Sequence, residues 1–191
     1  MIKHLEEIVE DACRKETNVF GYGIWSHHIV FVKKYGGFLA EKYGADKEVV
    51  EIAALLHDYA SIKDYSLTKN HHLHSASEAE KLLKSLGYPE EKISAIKDCI
   101  MTHRASVSIK RKSVEAICLA SADAMAHIDQ IPSLLYLAFV PHKMSIDEGI
   151  AWVTEKLERS WKKLCPFAKE IIEEKYVAAK TLLNTAQLSY I

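Results

Sequence analysis

The apolar positions of this chain recur at helical spacing almost throughout. Ile2, Leu5, Ile8, Val9 and Ala12 form one stripe among charged neighbours, which predicts a first helix over residues 2–16. "NVFGYG" breaks that pattern. A second helix is expected from near Ser26 to Gly44, a residue suited to the left-handed position after a helix end. A third runs from about Asp46 to His57. "SIKDYSLTKNHHLH" has no clear period and reads as a loop. Ser75 and Glu78 stand at capping-box spacing and open a fourth helix, which Gly87 closes. Pro89 starts a fifth at the favoured first position, and it runs through "EEKISAIKDCIMTH". "RASVSIKRKS" is a polar connection. The sixth, "SVEAICLASADAMAHIDQ", stops before Pro132. "SIDE" at 145–148 repeats the capping-box spacing and leads a helix to about Leu164. Pro166 starts the last one, which reaches roughly Thr185. With no strand pair, repeat or low-complexity linker, the expected fold class is all-α, in a single domain.

Composition changes this picture only at one point. The chain has 191 residues, enough for a substantial core, and 49% of them are hydrophobic. The formal net charge of -1 gives no drive toward a nucleic acid polymer or an anionic membrane. "MIKHLEEIVEDACRKE" is too polar and acidic for a signal peptide, and no apolar run is long enough to span a bilayer. Cys13, Cys99, Cys118 and Cys165 are widely spaced and read as buried thiols, which suits a cytoplasmic location. The anomaly is the supply of 10 histidines.

Several of these fall on apolar helix faces. His28, Val32, Tyr35 and Leu39 share one face of the second helix, whereas His27 lies about 100° around it. His57 and Asp58 close the apolar run "EIAALLHD". Asp123 sits between Ala122 and Ala124 on a face shared with Ala116, Ala120 and His127. Each has an ordinary reading: a core histidine bonded to a carbonyl, a capping histidine beside a solvated aspartate, an aspartate paired with Arg or Lys. Together they place imidazoles and carboxylates on three helices, and these are the ligand types of divalent transition metals. A divalent ion would offset the desolvation of the carboxylates.

The order His28, then the doublet His57–Asp58 after a gap of 29 residues, then Asp123 in "ADA", resembles the HD-domain superfamily of metal-dependent phosphohydrolases. The resemblance covers most of residues 26–130. It implies an HD-type helical bundle with a metal-binding core over 26–130 and further helices over 131–191. Two more positions resemble members with extra histidines: His71, four residues before Ser75, and His103 in "CIMTHR". His72 and His74 are rivals for His71, ranked on spacing. By this analogy His28, His57, Asp58 and Asp123 hold one metal, and His71 and His103 hold a second, with Asp58 bridging. The Gly-Tyr-Pro motif of the HD-GYP group is absent after His103, so cyclic-dinucleotide hydrolysis is not implied.

The implied cofactors are one or two divalent transition-metal ions, Fe, Mn, Ni, Co or Zn. The implied reaction is hydrolysis of a phosphoester or phosphoanhydride of a small phosphorylated substrate, such as a nucleotide, by a metal-activated hydroxide. Asp58 would be the catalytic residue, orienting the nucleophile or relaying its proton. Arg104 is the first basic residue able to meet substrate phosphate. Lys110, Arg111 and Lys112 read mainly as a solvated loop. Lys63 does not match well as a site residue. His127 stands one turn beyond Asp123, while His4, His27 and His142 read as bystanders. The same ligand set also resembles the HD-type diiron oxygenases, and a non-catalytic HD-like binding module is the third alternative. Residues 131–191 carry no recognised motif; their helices could cover the cleft or form a homodimer surface.

Overall fold

The apolar stripes become the inner faces of helices. In the computed structural model, which describes residues 2–104 and 110–186, α1 (Ile2–Arg14) buries Leu5, Val9, Ala12 and Cys13. The break after it is held by Asn18, whose amide donates to the carbonyls of Cys13 and Gly21 while its oxygen accepts the Phe20 N–H. The next helix opens with a π-turn, Trp25–Ile29, before continuing as α2 (Val30–Tyr43). Gly44 ends it at φ 65°, in the left-handed region that a Cβ would make costly. Asp46 caps α3 (Lys47–Leu56) by accepting the Val49 N–H at 3.2 Å.

Two expectations are corrected between residues 59 and 85. The stretch read as a loop forms α4 (Tyr59–Lys63), a 3-10 turn (Tyr65–Asn70) and the start of α5 (His71–Ser85). Ser75 is therefore not a cap. It lies fully buried inside α5, and its Oγ accepts the Ala60 N–H at 3.1 Å, tying α4 to α5. Glu78 pairs with Lys63 and Lys81 instead. The stretch is divided among three short elements, so no single helical period runs through it, and Ser61, Thr68 and His71 line a cavity.

α6 (Glu90–Thr102) follows Pro89, which stands just ahead of the first turn. Residues 105–109 of the polar connection lie outside the described residues. Ser113 caps α7 (Val114–Asp129), in which Cys118 through Ala126 are all buried. A further helix, α8 (Ile131–Phe139), occupies a stretch where none was predicted. Pro132 sits in its first turn, where the missing N–H has no partner to lose. α9 (Ile146–Lys163) begins with the full Ser145–Glu148 capping box, and α10 (Pro166–Thr185) completes the bundle. The described residues are all-α, and no helix among them is long and apolar enough to cross a membrane. All four cysteines are buried thiols.

Small residues bring α2, α3 and α7 close together. A Cβ built on Gly36 would meet Val50 Cγ1 of α3 at 3.0 Å and Ala122 Cβ of α7 at 3.8 Å. These helices and their ends carry His28, His57 and Asp123, so their spacing sets the site. Gly36→Val is expected to lower stability by about 1–3 kcal/mol through overpacking, read as a lower urea midpoint. At Gly23 nothing lies within 4 Å of the added carbon, so Gly23→Ala should not lower the midpoint.

Candidate metal centre

A helix C-terminus leaves backbone carbonyls without partners. Three histidines bond carbonyls near such ends here, although that of Thr68 already accepts the His71 backbone N–H. His57 ends α3, His71 ends the 3-10 turn, and His103 ends α6. Each ring bonds the carbonyl three residues earlier through Nδ1: His57 to Ala54 at 2.8 Å, His71 to Thr68 at 2.9 Å, His103 to Ile100 at 2.6 Å. A carbonyl can only accept, so Nδ1 carries the hydrogen in each ring. Nε2 is then the free ring position, and all three Nε2 atoms point into one cluster.

Asp58 is the hinge of that cluster. Its Oδ2 lies 3.3 Å from His57 Nε2 and 3.5 Å from His28 Nε2, while its Oδ1 lies 3.4 Å from His71 Nε2. His28 and His57 face each other Nε2 to Nε2 at 3.1 Å, and so do His71 and His103. Asp123 turns Oδ1 toward His28 at 3.6 Å and His57 at 3.9 Å. Two compact donor groups result, His28–His57–Asp58 and Asp58–His71–His103, sharing one carboxylate. His28–Asp123–His127 forms a third grouping at the back of the first.

The His71–His103 contact is the informative one. Both rings spend their hydrogen on a carbonyl, so two neutral rings oppose lone pairs across 3.1 Å. That is repulsive unless a cation lies between them. Donors bound at about 2.1 Å and at right angles stand about 3.0 Å apart, so the spacing fits a shared divalent ion. The imidazole and carboxylate set suits such an ion equally well.

Electrostatics supports the same reading. Burial pulls the His57 imidazole down, but the adjacent Asp58 carboxylate outweighs it and lifts the pKa to about 9. Burial raises Asp58, and the charge on His57 reverses this and holds the carboxyl well below the usual range. Burial, reinforced by His57, keeps His103 well below its ordinary value, and burial also lowers His71. Without metal, a proton on His57 therefore serves as the cluster's cation.

Asp123 has the basic partner that its ordinary reading required. The almost fully buried Lys163 donates to its Oδ2 and, at 3.1 Å, to the His103 carbonyl. Lys163 thus leaves Oδ1 facing the imidazoles. Sequence reasoning missed Lys163. Its signal was the spacing Trp152, Lys156, Arg159, Lys163, which lines up on one face of α9.

Of the three neighbouring histidines, only His71 reaches the cluster. His72 is buried and accepts from Arg104 at 3.3 Å, while His74 is exposed. Arg104 also donates to the Lys69 carbonyl at 2.7 Å and lines a cavity of about 360 Å³ over the cluster. Lys63 faces Glu78, away from it. His27 and His142, read as bystanders, both line the cavity, because the π-turn and the α8–α9 connection bring them there. His4 stays exposed beside Glu7. His127 stacks on His28 with centroids 4.8 Å apart and touches Asp123 Oδ1 at 3.6 Å.

A pH signature follows. The raised pKa of His57 contributes stability to the metal-free protein that is fully present below its unfolded value, about 6.5, and is lost as pH rises through about 9. A metal must displace that one proton. Between pH 7 and 8.5 its affinity is expected to rise about tenfold per pH unit in a chelator-competition titration. A pH-independent affinity would contradict this proton assignment.

Comparison with known proteins agrees with the geometry. The HD domain family profile matches residues 25–128. No curated protein matches the chain significantly. Among solved structures, Bacillus subtilis YpgQ in complex with ADP is 21% identical with a TM-score of 0.69, covering 97% of this chain and 95% of that one. The Lin1889 protein from Listeria innocua is 19% identical with a TM-score of 0.69, covering 96% and 92%. A predicted HD superfamily hydrolase from an uncultured Thermotogales bacterium is 20% identical with a TM-score of 0.64, covering 96% and 89%. These likenesses share the fold, and the matched segment contains every histidine and aspartate of the two compact donor groups. The chain belongs to the HD domain family.

Proposed function

We propose that the protein is a metal-dependent hydrolase that cleaves a phosphoester or phosphoanhydride bond in a small molecule of the nucleotide class. The observation that carries this reading is the pair of donor groups joined through Asp58, with the His71 and His103 lone pairs opposed at 3.1 Å. In this reading His28, His57, Asp58 and Asp123 hold one divalent transition-metal ion, and Asp58, His71 and His103 hold a second. The metal-binding core lies within residues 26–130, and the C-terminal helices supply the substrate wall. The nucleotide class draws support from the ADP held by the structurally similar YpgQ.

The metals, when bound, supply Lewis acidity toward phosphoryl oxygens and lower the pKa of water toward neutrality. The chain's own residues do the rest. Asp58 lies between the donor groups, where its carboxylate orients the attacking water or relays its proton. Lys163 holds Asp123 in one orientation. Arg104 and the α9 cations line the cavity and offset the charge of a phosphate lying above the cluster. The pinned Nδ1–H of His57, His71 and His103 keeps each ring in the tautomer whose Nε2 lone pair is free to bind a metal.

The test is phosphate release from a panel of nucleotides by protein loaded in turn with Mn, Fe, Co, Ni and Zn. Activity is expected with at least one metal, and EDTA should abolish it. Asp58→Asn should lower kcat by about 10²–10⁴-fold while the thermal melt stays cooperative. Oxygen consumption by the iron-loaded protein, with no phosphate released by any form, would replace this reading with the oxygenase one. Failure to bind any of these metals would leave a binding module.

A further inference from the structure

The cavity over the cluster has two chemically distinct walls, and metal binding explains only one of them. The other is built largely from outside the segment that matches the family. α9 contributes Trp152, Lys156, Arg159 and Lys163, all on one face and all lining the cavity. Lys163 is engaged with Asp123, and Arg159 with Glu155. Lys156 differs. Among the described residues it has no carboxylate within 4.0 Å and no hydrogen bond, although burial holds its ammonium below the ordinary value. It is partly exposed to the cavity, and the carboxylates of Asp123 and Asp58 attract it only from beyond 4.0 Å. Its position invites an anion from the cavity.

Beside it stands an aromatic chain. Phe20 meets Tyr65 edge-on at 5.5 Å, and Tyr65 Oη lies 3.1 Å from His142 Nδ1. The His142 ring meets Trp152 edge-on at 5.4 Å. Lys156 Nζ lies over the Trp152 ring, 5.7 Å from its centre, so this cation and the aromatic surface are adjacent. Phe20, His142 and Trp152 line the cavity, and none of the three is fully buried. Four separate segments of chain bring these rings together. A purely inorganic phosphate would have no use for them.

We infer that this wall is a recognition subsite for an aryl-bearing phosphate. A planar aromatic group, a nucleobase in the nucleotide reading, would stack against Trp152 beside His142 and Phe20, and the adjoining phosphate would pair with Lys156. The inference rests on the cavity being a phosphate site, as proposed above. Along α9 the distance from Lys163, at the cluster, to Trp152 is about 16 Å at 1.5 Å per residue. The aromatic wall and the cluster therefore meet the cavity toward different ends of α9. The metal donors are thus common to the family segment, while selectivity resides in the C-terminal helices.

The experiment is calorimetric titration of the metal-loaded protein with ADP and, separately, with inorganic pyrophosphate, which keeps the anhydride and lacks the aryl group. Trp152→Ala is expected to weaken ADP binding roughly tenfold or more and to leave pyrophosphate within about twofold. Trp152→Phe should recover most of the ADP affinity. Lys156→Met should weaken both ligands. Equal loss for both ligands in Trp152→Ala, or no loss for ADP, overturns the subsite. So does a wild-type protein that binds pyrophosphate as tightly as ADP. These outcomes are separable from the hydrolase reading. A protein that shows the selective loss but releases no phosphate keeps the subsite and loses the proposed activity. One that releases phosphate without the selective loss does the reverse.

Discussion

Two imidazole nitrogens held lone pair to lone pair are the constraint on which the rest of this structure depends. His71 and His103 cannot relieve the contact by changing tautomer, because each Nδ1–H is committed to a helix-end carbonyl. They cannot relieve it easily by taking a proton, because burial and the charge on His57 oppose that at His103. What satisfies the pair is a cation between them. The same logic holds around His28 and His57, where a proton on His57 stands in for that cation. The side chains that bond three helix-end carbonyls are the ones whose Nε2 atoms form the candidate metal site.

The bundle supports this arrangement through close packing and charge balance. Gly36 and the alanines of α3 and α7 let the ligand-bearing helices approach, so the donors meet across a short gap. A loose bundle would let the rings rotate apart and lose the opposition. Two acidic groups face the cluster, and their charge is offset by Lys163, by the His57 proton and, in the proposed working state, by divalent ions. Lys163 also donates to the His103 carbonyl, so one ammonium links the two sides of the centre.

Much of this was legible in the sequence, for reasons that differ by residue. His28 announced itself on the apolar face of a helix, and it is buried. His57 admitted two readings, cap and ligand, and the geometry makes them compatible, because the cap bond at Nδ1 is what aims Nε2. His71 could be separated from His72 and His74 only by spacing, and only its ring reaches the cluster. What stayed hidden was set by tertiary context. Residues 59–74 lacked a period because they are divided among α4, a 3-10 turn and the start of α5. α8 was masked by a proline that a first helical turn tolerates. Lys163 and Lys156 lie in a stretch without a recognised motif, and the docking of α9 over the cluster is what brings both to the cavity.

The central claim is that the chain holds two adjacent divalent ions, one of them between His71 and His103. Elemental analysis of metal-loaded protein, after removal of free ions, tests it most directly. The account predicts about two ions per chain in the wild type and about one in the doubly substituted His71→Ala, His103→Ala protein, with the fold retained. Equal metal content in the two proteins, or none in either, would contradict it.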